Sequence, residues 1–243
     1  HDDEWGFPQG EDVRLFEKMS LESFQAGLSW RTIYNKRPNF RRAFKDFVPA
    51  RVARFGPRDV ERLLGDAGIV RHRGKIEAVI HNAGLVAQIA ADHGSLAAFV
   101  WQYEPDPSAR PEQLLWGSLP SESAESKALS KQLKRYGWRF FGPTTAYAFM
   151  QSEGLVNDHV EGCEIRARVD IPAFAFAGER GRMEQNLEHV QMPCARAQRQ
   201  QGGRFGVFGH FHPQISGPAD VRYDHLPAPH GGHRRKGIRR TQP

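Results

Sequence analysis

The chain of 243 residues contains 39% hydrophobic and 26% charged residues, which is typical of a soluble protein with one large domain or two small ones. It has no apolar run of the roughly 18 residues that a membrane helix needs, so we expect no membrane partner. The opening HDDEWG is unlike a signal peptide, and two cysteines cannot form a disulfide framework. These features favour the cytoplasm.

The net charge of +6 arises entirely in the last third of the chain. Residues 1–163 contain 21 basic and 21 acidic side chains, whereas residues 164–243 contain 13 and 7. This last region is interrupted by Gly and Pro, so we expect residues 168–243 to be a basic tail that is irregular or disordered. The tail either binds nucleic-acid phosphates non-specifically or is a solvated extension, and its composition favours the extension.

Residues 1–167 are predicted to form one all-α domain without strands. The predicted helices lie, in chain order, at 11–28, 56–68, 74–94, 121–137 and 143–154. Acidic residues open the first helix, Pro57 opens the second, and Gly137 supplies the C-cap of the fourth.

The first predicted helix carries an acid on its apolar stripe. Leu15, Met19, Glu22 and Ala26 are spaced by four, three and four residues and therefore share one face. A buried carboxylate needs a partner, because burial of an unpaired charge is costly. Glu22 either binds a polar or cationic ligand in a pocket, pairs with a nearby arginine, or lies at a solvated position.

Trp30 follows this helix, beside Gly27 and Ser29, close to a helix end. An aromatic ring beside an inward acid is able to wall a pocket for a flat ligand, and stacking a base on it contributes about 1–3 kcal/mol. The alternative is an ordinary core tryptophan.

Residues 66–80, DAGIVRHRGKIEAVI, join two predicted helices through Gly68 and a short basic stretch. The basic side chains are those of Arg71, Arg73 and Lys75. A glycine turn, basic side chains and a helix N-terminus together favour phosphate binding, which positions a protein on DNA without reading its sequence. The alternative is a helix corner with a solvated basic face.

His159 and Cys163 are four residues apart in LVNDHVEGC. On a helix they would share one face and supply half of a tetrahedral zinc site, although such a pair is also common on plain helix surfaces.

Together these stretches resemble the 3-methyladenine DNA glycosylase I family. The matching stretches occur in the family's order and cover nearly all of residues 1–163; they are HDDEWGFP, LFEKMSLESFQAGLSW, DAGIVRHRGKIEAVIHNA, FVW and ALSKQLKRYGWRFFGPTTAYAFMQSEGLVNDHVEGC. The resemblance implies a helix-hairpin-helix superfamily fold, in which a monomer without an organic cofactor flips 3-methyladenine out of damaged double-stranded DNA. It would then hydrolyse the N-glycosidic bond and release free 3-methyladenine.

The resemblance also implies roles for particular residues. Glu22 would contact the base, Trp30 would stack on it, and Leu28 would fill the gap that the flipped base leaves. The DNA-anchoring hairpin would extend from Gly68 to Lys75, including Arg71 and Arg73. A structural zinc joining the domain termini would be bound by His1, His159 and Cys163, with Asp158 supporting the loop.

The chain departs from the family in two places. Val70 stands where hairpins of the wider superfamily have a second glycine. The family's base-contacting tyrosine, a zinc-binding cysteine and a tryptophan lie upstream of the position of His1. We therefore expect an N-terminally truncated domain that binds zinc weakly or not at all, because Cys194 lies in the tail.

The expected chemistry follows from the charge of the damaged base. Methylation at N3 makes adenine cationic and a good leaving group, so a carboxylate in an aromatic pocket selects it over normal adenine by charge. Two alternatives are a non-catalytic or degenerate helix-hairpin-helix DNA-binding protein and a zinc-bearing interaction module. Release of free 3-methyladenine from methylated DNA separates the enzyme from both.

Overall fold

The computed structural model describes residues 2–106, 108, 114–115 and 117–169. His1, Cys194 and all of the predicted tail beyond residue 169 lie outside the described residues. The predicted boundary between residues 167 and 168 therefore stays a prediction.

The described part of the chain contains nine α-helices and no strands, so the all-α prediction is confirmed there. The helices are α1 (Asp12–Gln25), α2 (Trp30–Ala43), α3 (Pro49–Val52), α4 (Pro57–Gly65), α5 (Arg73–His93), α6 (Leu96–Val100), α7 (Ala124–Tyr136), α8 (Pro143–Ser152) and α9 (Ile165–Arg168). No single helix in these ranges is long and apolar enough to cross a membrane; α5 together with Leu96–Tyr103 passes that test only as a pair bent by 75°.

The helix ends follow the expected signals. Pro57 is the first residue of α4, and Gly137 ends α7 with a left-handed φ of 93°. Helix α2 was not predicted, because Pro38 and seven basic or amide side chains obscure its apolar face. Its first turn is capped by Ser29, whose hydroxyl accepts a hydrogen bond from the backbone N–H of Thr32 at 3.3 Å.

Helix α1 lies at the centre of the domain and contacts α2, α5, α6 and α8. Its apolar side chains Leu15, Phe16, Met19 and Phe24 are fully buried. Phe24 packs on Phe40 of α2, with ring centroids 4.7 Å apart. Because α1 is surrounded on most sides, any polar group on it must find its partner inside the protein.

The N-terminal segment, residues 2–9, closes over the end of α8. The backbone N–H of Gly6 donates to the carbonyl of Ser152 at 2.9 Å. Gly154 has a φ of +78°, and a Cβ atom there would lie 2.6 Å from the Pro8 nitrogen and 2.7 Å from the Gly6 carbonyl oxygen. Only glycine therefore fits at position 154, where the two backbone segments approach each other closely. Their contact brings Glu4 and Glu153 to the same side of α1.

Candidate active site

A small charged pocket lies where α1 meets the start of α2, the N-terminal segment and the end of α8. We refer to it as the α1 pocket. Its lining residues are Glu4, Arg14, Glu17, Lys18, Leu21, Trp30, Arg37 and Glu153. Its free volume is about 10 Å³, which is room for about one water molecule.

Glu22 and Trp30 meet at this pocket through Lys18. The Glu22 side chain is only 3% exposed, and its Oε1 lies 3.2 Å from the Lys18 Nζ. The same ammonium lies over the Trp30 ring, 3.8 Å from its centroid. Glu22 therefore pairs with a lysine one helical turn away. Trp30 is part of a pocket wall and is not enclosed in the core.

The turn between α1 and α2 sets the position of Trp30. Gly27 has a φ of +85°, which reverses the chain after α1, and the Ser29 cap then starts α2 with Trp30 as its first residue. Leu28 lies on the tip of this turn and is 41% exposed, an unusual position for a large apolar side chain. The predicted wedge and the predicted stacking ring thus stand two residues apart, beside the same opening.

Ion pairs hold the outer wall of the α1 pocket. Glu4 binds Arg37 at 2.7 Å and Arg14 at 3.0 Å, and Glu17 binds Arg41 at 2.8 Å. Burial acts to raise the pKa of Glu4, but the hydrogen bond and charge of Arg37 and the charge of Arg14 lower it below its ordinary value. Glu4 is therefore ionised and paired at neutral pH.

Glu153 differs from the other acids of the pocket. Burial raises its pKa to about 7; the positive charges of Lys18 and Arg14 oppose this shift, and the negative charges of Glu22 and Glu4 add to it. Sequence analysis did not single it out, because it only ended the predicted helix 143–154. The available signal was an acid three residues after the apolar run AYAFM.

The stretch predicted to form the hairpin connects two helices, α4 and α5, through residues 66–72. The Gly68 N–H donates to the Asp66 carboxylate at 2.7 Å, and the Gly68 carbonyl accepts from the Asn39 amide at 3.3 Å. Arg71 is exposed in the turn. Arg73 is exposed too, but pairs with Glu61 on α4 at 2.7 Å. These positions leave Arg71 as the more accessible charge.

Lys75 departs from its predicted place among the phosphate contacts. It is only 8% exposed, and its Nζ donates to the carbonyl oxygens of Phe24 at 3.0 Å and Ala26 at 2.6 Å. Burial lowers its pKa. Lys75 thus binds carbonyl groups at the C-terminal end of α1 and supports the turn that carries Leu28.

His159 and Cys163 do not lie on a helix, because residues 153–164 form turns and irregular backbone. The His159 ring is buried, its Nδ1 lies 3.0 Å from the Asn157 Oδ1, and the Trp5 ring meets it edge-on at 4.8 Å. Burial, with the charge of Arg166, lowers the pKa of His159 to about 4. The ring is therefore neutral, which is the form that binds metals.

The described residues contain no group of three side chains placed to bind a metal ion, and His1 lies outside them. The predicted ligand set is therefore not tested. Asp158, predicted to support this loop, accepts hydrogen bonds from Tyr147 at 2.7 Å and Gln151 at 2.6 Å. It attaches the loop to α8, whereas Asn157 contacts the His159 ring.

The raised pKa of Glu153 predicts how stability depends on pH. The folded protein binds more protons than the unfolded chain between about pH 4.5 and 7, so the free energy of unfolding should fall over that range and level off above it. Glu153→Gln should remove this decrease and be more stable at pH 8 by on the order of 2–3 kcal/mol. Urea unfolding at several pH values measures both effects.

Glu4→Gln is the matched control for this prediction. Because the folded pKa of Glu4 is lowered, its stabilisation is present at neutral pH and is lost as the pH falls. The two variants should therefore change the pH profile with opposite signs. Parallel profiles for Glu153→Gln and the unsubstituted chain would show that Glu153 is not held protonated by burial.

Comparison with known proteins agrees with this geometry. The family model for methyladenine glycosylases matches residues 1–167. DNA-3-methyladenine glycosylase 1 of Escherichia coli (strain K12) is 46% identical over 163 residues, which are 67% of this chain and 87% of that protein. A crystal structure of 3-methyladenine DNA glycosylase I superposes with a TM-score of 0.63 at 45% identity, covering 68% of this chain and 90% of the other. A substituted 3-methyladenine DNA glycosylase I, solved in complex with 3-methyladenine, gives 0.63 at 36% identity, covering 68% and 89%. The chain belongs to the methyladenine glycosylase family.

Proposed function

We propose that this chain removes 3-methyladenine from alkylated double-stranded DNA by hydrolysing its N-glycosidic bond. The observation that carries the proposal is the meeting of the Glu22 carboxylate and the Trp30 ring face around one positive charge, that of Lys18. A cationic purine combines a positive charge with a flat aromatic ring, so this pair of groups complements it in both respects. Relatives named for this activity, one of them solved with 3-methyladenine, support the same substrate.

In the proposed reaction the protein does not need a strong general acid. The N3-methylated base is cationic in DNA and leaves as a neutral purine when the glycosidic bond breaks. Glu22 holds the cation, Trp30 stacks on its face, and enclosure by the charged wall keeps both contacts away from bulk water. Leu28 lies beside the opening, where its exposed side chain is able to enter the stack that the flipped base leaves.

Glu22→Gln tests the role of the carboxylate. It preserves the shape of the side chain but removes the charge, so excision of 3-methyladenine should fall and the free base should bind more weakly, by roughly 1.5–3 kcal/mol. Release of free base from methylated DNA and calorimetric titration with 3-methyladenine measure these effects. Glu125→Gln on α7 is the control outside the pocket, and equal activity of both variants would contradict the assignment.

We also propose that the α4–α5 hairpin binds DNA phosphates, as in the helix-hairpin-helix superfamily. Support comes from exposed Arg71 in a tight turn that is held by Gly68 and Asn39. Phosphate contacts of this kind strengthen binding without reading the sequence. Lys75 contributes by supporting the turn, not by touching the phosphates.

Arg71→Gln and Lys75→Met separate these two roles. Arg71→Gln should reduce the salt dependence of DNA binding by about one unit of slope, equally for different sequences. Lys75→Met should leave the slope unchanged but lower the free energy of unfolding by about 1–3 kcal/mol, because two carbonyl groups lose their donor. Fluorescence anisotropy at several salt concentrations and urea unfolding provide the two readouts. If Lys75→Met also weakened the salt dependence of DNA binding, Lys75 would be a phosphate contact.

A structural zinc bound by His159, Cys163 and His1 remains a further proposal. It is supported by the neutral, buried ring of His159 and by the Asn157 oxygen beside its Nδ1, since zinc-binding histidines commonly donate their second ring nitrogen to a carbonyl group. We expect less than one zinc per chain, and further loss of zinc in His159→Ala. Metal analysis of the purified protein checks this, and stoichiometric, tightly bound zinc would show that the site is complete.

A further inference from the structure

Phe140 is an aromatic side chain that the fold turns outward. It lies in the loop between α7 and α8, where its neighbours Trp138 and Phe141 are buried, whereas Phe140 is 48% exposed. Its φ is +56°, a left-handed conformation that is an outlier for a bulky residue. Glycine or asparagine would adopt this conformation with less strain. Neither the core nor the backbone conformation therefore accounts for a phenylalanine at this position.

Hydrogen bonds hold the loop on both sides of Phe140. The buried Asn82 side chain of α5 accepts from the backbone N–H of Arg139 at 2.9 Å and donates to the Arg139 carbonyl at 3.0 Å. The Ser130 hydroxyl donates to the carbonyl of Phe141 at 2.9 Å. The bonds to both neighbours impose the left-handed backbone at Phe140. Strain that the surrounding structure holds in this way is typical of functional positions.

The Phe140 ring lies against the hairpin that we propose binds DNA phosphates. Its centroid is 6.1 Å from that of the His72 ring, at an interplanar angle of 73°. A Cβ atom at Gly74 would lie 3.4 Å from the Phe140 Cζ, so the ring rests on the first turn of α5. Successive nucleotides of a DNA strand are about 3.4 Å apart along the helix axis. A strand whose phosphate is bound at this hairpin therefore comes within about two nucleotides of the exposed ring.

The first turn of α5 also supports a second exposed apolar side chain. The Lys75 Nζ donates to the carbonyl of Ala26 at 2.6 Å, in the turn that carries the exposed Leu28. Phe140 and Leu28 are thus attached to consecutive residues of one helix, Gly74 and Lys75. Two exposed apolar side chains beside one basic turn complement a DNA strand, because its phosphates are anionic and its deoxyribose rings are apolar.

We propose that Phe140 is a further DNA contact, which packs against a deoxyribose of the strand whose phosphate the α4–α5 hairpin binds. This inference rests on the proposed function, because it requires DNA at the hairpin. The ring supplies an apolar contact that releases no counterions, beside the charge-dependent contact of Arg71. Binding does not have to order the loop, which the hydrogen bonds already hold. A deoxyribose contact is the same for every base, so it positions the DNA without reading its sequence.

Phe140→Gly separates a DNA contact from a structural role. Glycine adopts a positive φ without strain, so the urea midpoint of unfolding should stay the same or rise. Covering the exposed half of a phenylalanine side chain changes affinity by about fivefold, so this variant should bind duplex DNA about fivefold more weakly. Phe140→Leu keeps an apolar side chain and should retain most of the affinity.

Leu115→Gly is the matched control for the loss of an exposed apolar side chain. Leu115 is 57% exposed, and its segment contacts a different part of the chain, since the Leu114 carbonyl accepts from the backbone N–H of Glu161 at 2.9 Å. This variant should bind DNA as the unsubstituted chain does. An equal loss of affinity in Leu115→Gly and Phe140→Gly would overturn the proposal.

The salt dependence of binding distinguishes an apolar contact from a phosphate contact. Fluorescence anisotropy at several salt concentrations is measured with an intact duplex and with the same duplex containing an abasic-site analogue. Phe140→Gly should weaken binding to both duplexes equally and leave the salt slope unchanged. A smaller slope would show that the ring acts only by positioning Arg71, and unchanged affinity would show no contact; either result overturns the proposal. A loss confined to the abasic duplex would place the ring at the opened base pair and overturn the deoxyribose contact.

Excision provides a second readout. With the protein in saturating excess over methylated DNA, Phe140→Gly should release 3-methyladenine at the unsubstituted rate, because Phe140 does not line the α1 pocket. Slower release at saturation would indicate a role in the chemical step and overturn the proposal. If the unsubstituted chain does not bind duplex DNA, or Arg71→Gln leaves the salt slope unchanged, the proposed function of the hairpin fails. If Arg71→Gln behaves as expected while Phe140→Gly binds DNA normally, only the present inference fails.

Discussion

The structure depends on the burial of carboxylates along its central helix. Glu17 and Glu22 are 6% and 3% exposed on α1, which is otherwise an apolar core element. Buried charges destabilise a fold unless each is paired, and neighbouring segments supply the partners: Lys18 from the next turn and Arg37 and Arg41 from α2. The direction in which α2 leaves the turn after α1 is thus tied to the acids that it must neutralise.

This constraint explains why the N-terminal segment is packed so closely against the end of α8. Glu4 on that segment binds Arg37 and Arg14, which links it to α1 and α2. The tight passage between Gly6 and Gly154 then places the buried Glu153 beside Lys18 and Trp30. Packing and electrostatics therefore act together, because the backbone contact at Gly154 determines which acids share the pocket.

Sequence patterns predicted the elements whose signals are local. The five predicted helices, the cap at Gly137 and the unusual acid on the apolar stripe of α1 all depend on spacings within one helix, and each is present. The family resemblance placed Trp30 and Glu22 together, which no spacing within the chain required. Their contact through Lys18 could not be predicted from the sequence, since i,i+4 ion pairs between lysine and an acid also form on exposed helices.

The local surroundings of Lys75 and of His159 could not be predicted from the sequence, for a common physical reason. Lys75 was assigned to the phosphate contacts because lysines beside a glycine turn are usually exposed, but the carbonyl groups of Phe24 and Ala26 lie within its reach only after α1 and α5 have packed. The spacing of His159 and Cys163 left open whether they lie on a helix, and the structure has turns there, with Asp158 attached to α8. In both cases a contact distant in sequence decided the local geometry.

The charge balance of the pocket connects the fold to its proposed chemistry. The charged side chains that line it are three acids and three bases, and Glu22 behind Lys18 adds a fourth acid. Arg41, which binds Glu17, supplies a fourth base, and burial favours the protonated form of Glu153. An entering cationic base adds a positive charge close to Glu153, which favours the ionised form of that carboxyl group.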